Sequence, residues 1–460
     1  MPNSILSRKR FLFLPCEIFS RELYSRLLLG VHALSRNFDV IIGNKNEVIK
    51  LGKLFADEGD VFIDKGKFLG ESHEYLISLR EKGVLLISLD EESGLNFVDY
   101  PSYESRYQLS DGIDFFDFWL TWGPRDFYHL LGKGISSEKL LRIGTPRSAS
   151  WSQSELERNQ GRSRSVKKDY VVIATNFTWE SSPSYSQLQS YFGSAPQQLK
   201  SSVYADYELA ISNREEEKAF QLVTKVCSYL LEQSNLKLVI RPHPMEIPNG
   251  PSETLRQLDR KRISVNRSIE FSEILRKSHA LLHLGTSLAF ESQAAGVLPI
   301  YMGNLAANSS IGADNSMNIS YSPNNYQDLV RGFMNPSDEL RCIAQSNHLR
   351  ECLWPKPINL RFYDALLDKI ILKQNPQKSY AHLRSNKLNI KDYSGILKSV
   401  WPINLMLKTQ TIEKVKRPNI SATYLNNLLQ NSAVTSNLNV MFNITKIGRN
   451  VFSMTGTSNV

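Results

Sequence analysis

Short apolar runs alternate with amphipathic segments along the first 145 residues of this chain. A short run that is apolar throughout is typical of a parallel strand buried on both faces of a sheet, and the segments between the runs have helical periodicity. The apolar runs are residues 11–14, 40–42, 61–63, 84–89, 119–121 and 140–143, and the helical segments lie near 20–36, 45–56, 70–82 and 123–133. Strands that alternate with helices predict a parallel sheet with right-handed crossovers, which is a Rossmann-like layer.

A second series of the same kind begins after a polar stretch without periodicity. Its apolar runs are residues 170–174, 237–240, 262–265, 280–283 and 297–301, its long helix ends near 233, and further helical segments lie around 325–350 and 359–373. The expected fold class is therefore α/β, with two Rossmann-like domains whose parallel sheets face a central cleft. We predict a first domain over residues 1–151, a linker over 152–168, a second domain over 169–373 and a tail over 374–460.

The formal net charge of +9 is concentrated in the tail. Residues 373–460 hold twelve Lys/Arg and two acids, whereas the remaining residues hold 43 basic and 44 acidic side chains. The neutral body predicts no nucleic-acid partner. Because the tail is also rich in Asn and Ser, we predict that it is basic and weakly structured, either disordered or associated with a membrane.

Membrane-spanning and secretion signals are absent from the sequence. No stretch approaches about 18 uninterrupted apolar residues, and the apolar run after the basic residues 8–10 is too short for a signal peptide. The four cysteines form no C-x-x-C pair and are expected to be reduced. These features predict a soluble cytoplasmic protein.

The first candidate for chemistry is Arg241-Pro242-His243-Pro244, directly after the predicted strand 237–240. Two prolines stiffen this loop, so Arg241 and His243 are expected to project from a rigid backbone. A guanidinium and an imidazole held together at a strand end suit a phosphate ester. A structural histidine in a proline turn is the alternative.

The second candidate is Gly285-Thr286-Ser287, which links the predicted strand 280–283 to a helix. Glycine permits close backbone approach, and Thr286 or Ser287 is expected to cap the helix. Amide groups at a helix start attract anions such as a nucleotide phosphate, although a plain helix cap would have the same sequence. Glu291 lies one turn further on, where it is expected either to accept bonds from ribose hydroxyls or to face solvent.

The third candidate is the acidic segment Asp90-Glu91-Glu92, directly after the predicted strand 84–89. Clustered carboxylates repel one another, which raises the pKa of one of them toward the range of a general base. A solvated acidic turn is the alternative. Glu17, Arg21 and Glu22 follow the first strand and are expected to line the same cleft or to cap the first helix.

Other site classes find no support in the sequence. His243 and His283 have no cysteine or carboxylate companions at metal-ligand spacing, so neither a metal nor another cofactor is expected. No P-loop, G-x-G-x-x-G or G-x-S-x-G motif occurs where its chemistry would require it.

An ordered series of short motifs resembles the bacterial surface carbohydrate biosynthesis protein family, a GT-B-like group, over residues 10–370. The motifs are F-L-P-C-E at 13–17, S-R-E-L at 20–23, L-L-L at 27–29, I-D-K-G at 63–66, D-E-E at 90–92, W-G-P-R-D at 122–126, G-T-P-R at 144–147, T-N-F at 175–177, R-P-H-P at 241–244 and G-T-S at 285–287. The resemblance implies a GT-B-like enzyme with an acceptor-side first domain and a nucleotide-sugar site in the second. It adds Lys65 to Glu17, Arg21 and Glu22 as candidates for the acceptor cleft.

A looser likeness is to bacterial sialyltransferases, which combine an acidic motif, an H-P motif and a serine/threonine motif. It implies that Asp90, Glu91 or Glu92 activates the acceptor and that His243 contacts the phosphate of a CMP-type donor. Ser93 separates Glu92 from Gly94, a departure from the acidic motif that leaves the identity of the base open among the three acids. The R-P-H-P and G-T-S motifs also resemble teichoic-acid polymerases that use CDP-polyols.

The resulting hypothesis is a metal-independent glycosyltransferase. It would move a sugar, such as a nonulosonate or Kdo-like acid, from a CMP-type nucleotide donor to a surface-glycan acceptor, with a lipid-linked acceptor as one option. A peripheral contact with the inner face of the cell membrane would then run through the tail. The alternatives are a CDP-polyol phosphotransferase, a nucleotide-sugar epimerase and a non-catalytic glycan-binding scaffold.

Overall fold

Two sheets, each with helices packed on its faces, organise the protein in this computed structural model. The structure describes residues 9–65, 74–91, 116–147, 168, 170–177, 203–244, 246, 248–268, 271–306, 315–334, 336, 343, 347–354, 361–373, 420–430, 440–448 and 450–458. The predicted linker therefore lies outside the described residues except for Lys168, and so do Glu92 and Cys342. Cys16, Cys227 and Cys352 are buried and form no disulfide among the described residues.

The first domain contains the strands and helices that were predicted from apolar periodicity. Its elements are β1 (Arg10–Cys16), α1 (Phe19–Ser35), β2 (Phe38–Asn44), α2 (Lys45–Phe55), β3 (Val61–Asp64), α3 (Glu74–Glu81), β4 (Leu85–Leu89), β5 (Phe118–Leu120), α4 (Pro124–Gly132) and β6 (Leu140–Leu141). These strands are parallel in the order β2-β1-β3-β4-β5-β6. The chain leaves β1 toward β2 and then returns to the other side for β3, so the strand order reverses between β1 and β3.

The second domain is a parallel sheet in the order β11-β10-β7-β8-β9. Its elements are β7 (Tyr170–Ala174), α5 (Val203–Gln233), β8 (Lys237–Arg241), α6 (Pro251–Arg256), β9 (Ile263–Val265), α7 (Phe271–Arg276), β10 (Ser278–His283), α8 (Leu288–Ala294), β11 (Leu298–Tyr301), α9 (Tyr326–Met334) and α10 (Asn347–Cys352), with 3₁₀ turns at Gly303–Leu305 and Asn315–Ile319. Here the strand order reverses between β7 and β10. The protein thus has the predicted α/β class with two Rossmann-like domains.

Helix α11 (Arg361–Lys373) belongs to the first domain by its packing. Its apolar face joins the core formed by α1 and β1, and the Tyr363 hydroxyl donates to the Pro146 carbonyl at 3.3 Å. Arg36 on α1 pairs with Asp364 and Asp368. Helix α11 lies within the bounds predicted for the second domain, 169–373, but packs on the first domain; the domain bounds stay a prediction.

Within the predicted tail, residues 420–430, 440–448 and 450–458 are described, and they pack on the first domain. They form α12 (Ala422–Gln430) and a hairpin of β12 (Val440–Gly448) and β13 (Val451–Ser458). Strand β13 pairs antiparallel with β2. The backbones approach so closely there that a side chain at Gly43, whose φ is +145°, would place its Cβ 2.1 Å from the Asn450 carbonyl oxygen. Residues 374–419 lie outside the described residues.

No helix among the described residues is both long and apolar enough to cross a membrane.

Candidate functional site

A small cavity of about 10 Å³, lined mostly by polar and charged side chains, lies where the strand order of the first sheet reverses. Its lining residues come from the segments that follow β1, β3 and β4 and from the starts of α1 and α2: Pro15, Glu17, Glu22, Arg26, Lys45, Asp64, Lys65 and Glu91. In open α/β sheets, ligands bind beyond the carboxyl ends of the strands at such a reversal. Three predicted acceptor-cleft residues, Glu17, Glu22 and Lys65, therefore meet the acidic segment at one place.

Glu17 and Glu22 organise the start of α1. The Glu17 amide donates to Oε2 of Glu22 at 2.8 Å, and Lys65 Nζ lies 2.6 Å from Oε2 of Glu17. Arg21 lies beside this pair, with its Nη2 3.9 Å from Oε1 of Glu22. Glu22 thus binds the backbone just before the helix and also lines the cavity, while Ile18 at the N-cap has no side-chain cap.

Glu91 forms a buried ion pair with Arg26 inside this cavity. Nη2 of Arg26 donates to Oε1 of Glu91 at 3.2 Å, and the two side chains are 2% and 1% exposed. Oε2 of Glu91 and the Nε and Nη1 groups of Arg26 have no hydrogen-bond partner among the described residues. Burial raises the pKa of Glu91 above its ordinary value, while Arg26 and Arg147 act in the opposite direction. Such unsatisfied, desolvated groups are suited to binding a polar ligand.

Arg147 connects this acid to the second domain. Its guanidinium is 2% exposed; Nη1 donates to the Glu91 carbonyl at 2.9 Å and Nη2 donates to Ser287 Oγ at 3.0 Å. Burial lowers the pKa of Arg147, and the charges of Glu91 and Glu291 oppose that change. The acidic segment and the G-T-S segment are therefore joined through one side chain.

Asp90 and Glu92 differ from Glu91 in what the structure describes. Asp90 is buried, and its carbonyl accepts a hydrogen bond from the Trp122 indole at 2.6 Å, but Asp90 is not among the residues that line the cavity. Glu92 lies outside the described residues. Among the described acids of the segment, Glu91 is the one that faces the cavity.

The G-T-S segment forms a tight connection between β10 and α8. Gly285 has a φ of +99°, and Asn176 donates to the Leu284 and Gly285 carbonyls at 2.9 and 2.6 Å. Thr286 Oγ1 accepts from the Leu288 amide at 3.3 Å, whereas Ser287 at the N-cap makes no side-chain cap bond. These bonds fix the segment at the point where the second sheet reverses its strand order.

The backbone amides expected to bind a phosphate already have partners in this segment. The Gly285 amide donates to Nδ1 of His283 at 3.0 Å, and the Thr286 amide donates to Ser316 Oγ at 3.0 Å. The α8 helix is also short, with seven residues. A phosphate-binding role of Gly285, Thr286 and Ser287 stays a prediction, and the amides of Gly285 and Thr286 would have to leave these partners to take part in it.

Arg241 is the last residue of β8, and its side chain donates to backbone carbonyls that follow β9. Nη1 donates to the carbonyls of Asn266 and Ser268 at 3.2 and 2.7 Å, and the guanidinium lies 4.7 Å from the centre of the Phe271 ring. Burial lowers the pKa of Arg241 to about 10, and the charge of Glu291 opposes this. Arg241 and Glu291 therefore lie close enough to interact, while a phosphate contact by Arg241 stays a prediction.

His243 lies half-buried in a turn in which its carbonyl accepts from the Glu246 amide at 2.9 Å. The Glu246 carboxylate is fully buried and accepts from the amide and the hydroxyl of Ser252 at 2.9 and 2.8 Å. These bonds hold the turn that follows the R-P-H-P segment, and the rigidity expected from its prolines stays a prediction. A catalytic role of His243 is neither supported nor contradicted by these contacts.

Three residues that take part in the contacts described above were not predicted from the sequence as site residues. They are Arg26 and Arg147 near Glu91, and Glu246 after the R-P-H-P segment. Arg26 is an arginine on the buried face of α1 between Leu23 and Leu27, and an unexplained charge in an apolar stripe is the signal that could have identified it. Arg147 belongs to the G-T-P-R motif but had been given no role. Glu246 follows the R-P-H-P loop without any distinctive local pattern.

Among the described residues, no group of three or more His, Cys, Asp or Glu side chains could hold a metal ion.

The fold and this network define a two-domain α/β protein with a charged site at the meeting edges of two Rossmann-like sheets. No protein-family model matches the chain, and no curated protein matches it. A solved structure of a variant of the wall teichoic acid polymerase TagF has 10% identity and a TM-score of 0.49, covering 80% of this chain and 89% of its own. The UDP-GlcNAc 2-epimerase from Methanocaldococcus jannaschii has 12% identity and a TM-score of 0.45, with coverage of 80% and 100%. The Neisseria meningitidis UDP-GlcNAc 2-epimerase has 9% identity and a TM-score of 0.44, with coverage of 79% and 100%.

Proposed function

We propose that this protein is a glycosyltransferase that uses a nucleotide-sugar donor. The observation that carries the proposal is the buried connection from Glu91 through Arg147 to Ser287. It joins the backbone of the residue that carries the proposed base, at the edge of one Rossmann-like sheet, to the predicted nucleotide segment of the other. A transferase that joins two substrates needs such an arrangement, with an acid on the acceptor side and a phosphate site on the donor side.

In the proposed reaction, Glu91 accepts the proton of an acceptor hydroxyl. The acceptor oxygen forms a bond to the anomeric carbon of the donor sugar, while the bond between that carbon and the phosphate oxygen breaks. The electron pair of the broken bond leaves with the nucleotide, whose phosphate would be stabilised by His243. The raised pKa of Glu91 supports this role, because a base works best when its pKa lies near the working pH.

The polar cavity is the proposed acceptor site. Its unsatisfied groups include an acceptor atom, Oε2 of Glu91, and donors, Nε and Nη1 of Arg26. The cavity has room for about one water-sized group, so it would take a single hydroxyl of the acceptor rather than a whole sugar ring. A hydroxyl both donates and accepts hydrogen bonds, so it matches this mixture better than a purely anionic or apolar group.

The donor we propose first is a CMP-activated acidic sugar, on the strength of the motif resemblance. The test is incubation with CMP-, CDP- and UDP-activated donors, with and without a mixture of mono- and disaccharide acceptors, followed by measurement of nucleotide release and of product structure. Nucleotide release that depends on the acceptor would support a glycosyltransferase, with the active donor identifying the nucleotide. Isomerised UDP-GlcNAc without acceptor would indicate an epimerase, transfer of a polyol phosphate would indicate a phosphotransferase, and no turnover would favour a scaffold.

We also propose that residues 374–419 attach the protein to an anionic membrane surface. This stretch holds nine Lys/Arg and two acids, and a basic residue near such a surface contributes roughly 1 kcal/mol. A variant with all nine changed to Gln keeps the folded hairpin intact. It should lose co-sedimentation with phosphatidylserine vesicles that the unchanged protein retains, and equal sedimentation of the two would refute membrane attachment.

A further inference from the structure

Two side chains hold the backbone of the acidic segment, and both also contact α8. The Trp122 indole donates to the Asp90 carbonyl at 2.6 Å, and its ring packs edge-on against Phe290 with the ring centres 5.8 Å apart. Arg147 donates to the Glu91 carbonyl and to Ser287, both within 3.0 Å. Consecutive carbonyls of the first domain are thus each linked by one side chain to the same helix of the second.

Both side chains are almost completely buried, at 1% for Trp122 and 2% for Arg147. Trp122 follows β5 of the first domain but packs in the apolar core of the second. The buried indole ring and the buried guanidinium, which makes two hydrogen bonds, have few alternative rotamers. A movement of α8 should therefore move the acidic segment as well, because the side chains between them cannot readily change rotamer. The position of the acidic segment therefore depends on α8 as well as on the strand β4 that precedes it.

We propose that Trp122 and Arg147 are positioning residues that couple α8 to Glu91, so that a ligand bound beside α8 sets the position of the base in the other domain. This inference extends the proposed function, since it assigns a means by which the donor side prepares the acceptor side. The coupling itself is a property of the folded chain and can be measured without any substrate.

The first test is hydrogen exchange measured by mass spectrometry on the full chain. Ser287→Ala removes the acceptor of Arg147 in the second domain, and Trp122→Phe removes the indole bond but keeps the ring. Each should speed amide exchange in the peptide covering residues 85–91 by about 2- to 10-fold, the equivalent of one hydrogen bond.

The matched controls remove similar bonds elsewhere. Trp354→Phe loses an indole bond to Thr121 Oγ1, and Arg262→Lys loses bonds to backbone carbonyls at Leu231 and Leu236. Arg262→Lys, which lies away from these contacts, should not change exchange over residues 85–91. Trp354→Phe should have a smaller effect there than Trp122→Phe, because the Trp354 amide also donates to the Trp122 carbonyl at 3.0 Å. If the Ser287→Ala variant changes exchange only in peptides that contain residue 287, the two domains are not coupled through these side chains and the inference is overturned.

The second test is the pH dependence of turnover. Glu91 faces Arg21, Glu22 and Arg26 on α1, Arg147 after β6 and Tyr363 on α11. Arg147→Met removes one of the cations that keep Glu91 ionised, so the pKa of Glu91 rises further and the acidic limb of the turnover profile moves to higher pH. Arg147→Lys keeps the charge but loses the second bond, so it should lower turnover with a much smaller shift of that limb.

A purely structural role of Arg147 would lower turnover equally at every pH, which would overturn its assignment as a positioning residue. If no nucleotide sugar is turned over at all, the proposed function fails, but the exchange experiment still decides whether α8 and the acidic segment are coupled.

Discussion

At the scale of single residues, the site is dominated by charges held out of water. One carboxylate oxygen of Glu91 pairs with Arg26, and the other has no hydrogen-bond partner among the described residues. Burying a charge is unfavourable unless it is paired, and removing one partner of a buried pair leaves the other uncompensated. Packing alone would not require a buried ion pair at this edge of the sheet.

Glu91→Gln should reduce turnover of the donor by about 10²–10⁴-fold, because the amide is too weak a base to accept the proton of the acceptor. Nucleotide affinity should change little, since Glu91 acts on the acceptor in the transition state. Turnover and calorimetric nucleotide binding are the measurements. Glu47→Gln, which alters a buried glutamate paired with Lys50 on α2, is the control and should leave both unchanged. Normal turnover in Glu91→Gln would move the role of base to Asp90 or Glu92.

His283 predicts a pH dependence of stability. Its ring is fully buried beneath the G-T-S segment, and burial lowers its pKa to about 3. An unfolded histidine has a pKa of about 6.5, so below that pH the unfolded state binds a proton that the folded state does not. The stabilising contribution of neutral His283 is therefore complete above pH 6.5 and is lost as the pH falls toward 3.

Urea unfolding of the unchanged protein and of His283→Gln between pH 7 and pH 4 tests this. The variant has no such group to titrate, so the difference in unfolding free energy between the two proteins should shrink by about 3 kcal/mol over that range. A difference that stays constant with pH would mean that the pKa of His283 is the same in the folded and the unfolded chain.

At the scale of elements, the connection of β2 to β13 depends on one glycine. The left-handed φ of Gly43 and the 2.1 Å approach of its hypothetical Cβ to the Asn450 carbonyl both exclude a side chain. Gly43→Ala should therefore destabilise the protein by about 2–4 kcal/mol in urea unfolding. Gly132→Ala is the matched control, because nothing lies within 4 Å of its added Cβ, and it should be neutral or slightly stabilising. Equal stability of the two variants would show that the hairpin does not dock at Gly43.

Elements were predictable from the sequence wherever their pattern was local. The apolar runs of both sheets, such as 61–63 and 170–174, correspond to observed strands because a strand buried on both faces must be apolar along its length. The hairpin escaped prediction because β12 and β13 are polar on one face, and because pairing of Val451 with Gly43 is a contact between distant parts of the chain. The packing of α11 on the first domain likewise cannot be predicted from a short stretch of sequence.

The sequence predicted where the acidic residues of the candidate site lie better than it predicted the arginines. Glu17, Glu22 and Glu91 were expected after strands, and they meet because those strand ends share one edge of a sheet. Lys65, which the family resemblance implied, lies at the same edge, and the roles of all four residues stay predictions. Arg147 could not be assigned a partner from sequence, since its two bonds reach residues far away along the chain in opposite directions.

At the scale of the whole molecule, a ligand that binds the folded protein alone should stabilise it. A cytidine nucleotide at a hundredfold excess over its dissociation constant should add about 2.7 kcal/mol to the free energy of unfolding. His243→Ala and Ser287→Ala should each reduce that gain, as measured by thermal shift and calorimetry. The exposed Leu372→Ala serves as control and should keep the full gain. Stabilisation by uridine or adenine nucleotides alone would refute the CMP assignment.

The pairing of β13 with β2 has a consequence for the order of events during synthesis. Strand β2 emerges from the ribosome early, but its antiparallel neighbour follows only after residues 45–450 have been made. At about 5–20 residues per second, this leaves the edge of β2 exposed for roughly 20–80 s, long enough for the whole second domain to be translated first. An unpaired strand edge promotes aggregation, so the nascent chain should depend on chaperones that recognise exposed strands until the hairpin arrives. Ribosome-bound chains halted before residue 440 should therefore recruit such chaperones more strongly than chains extended through residue 458.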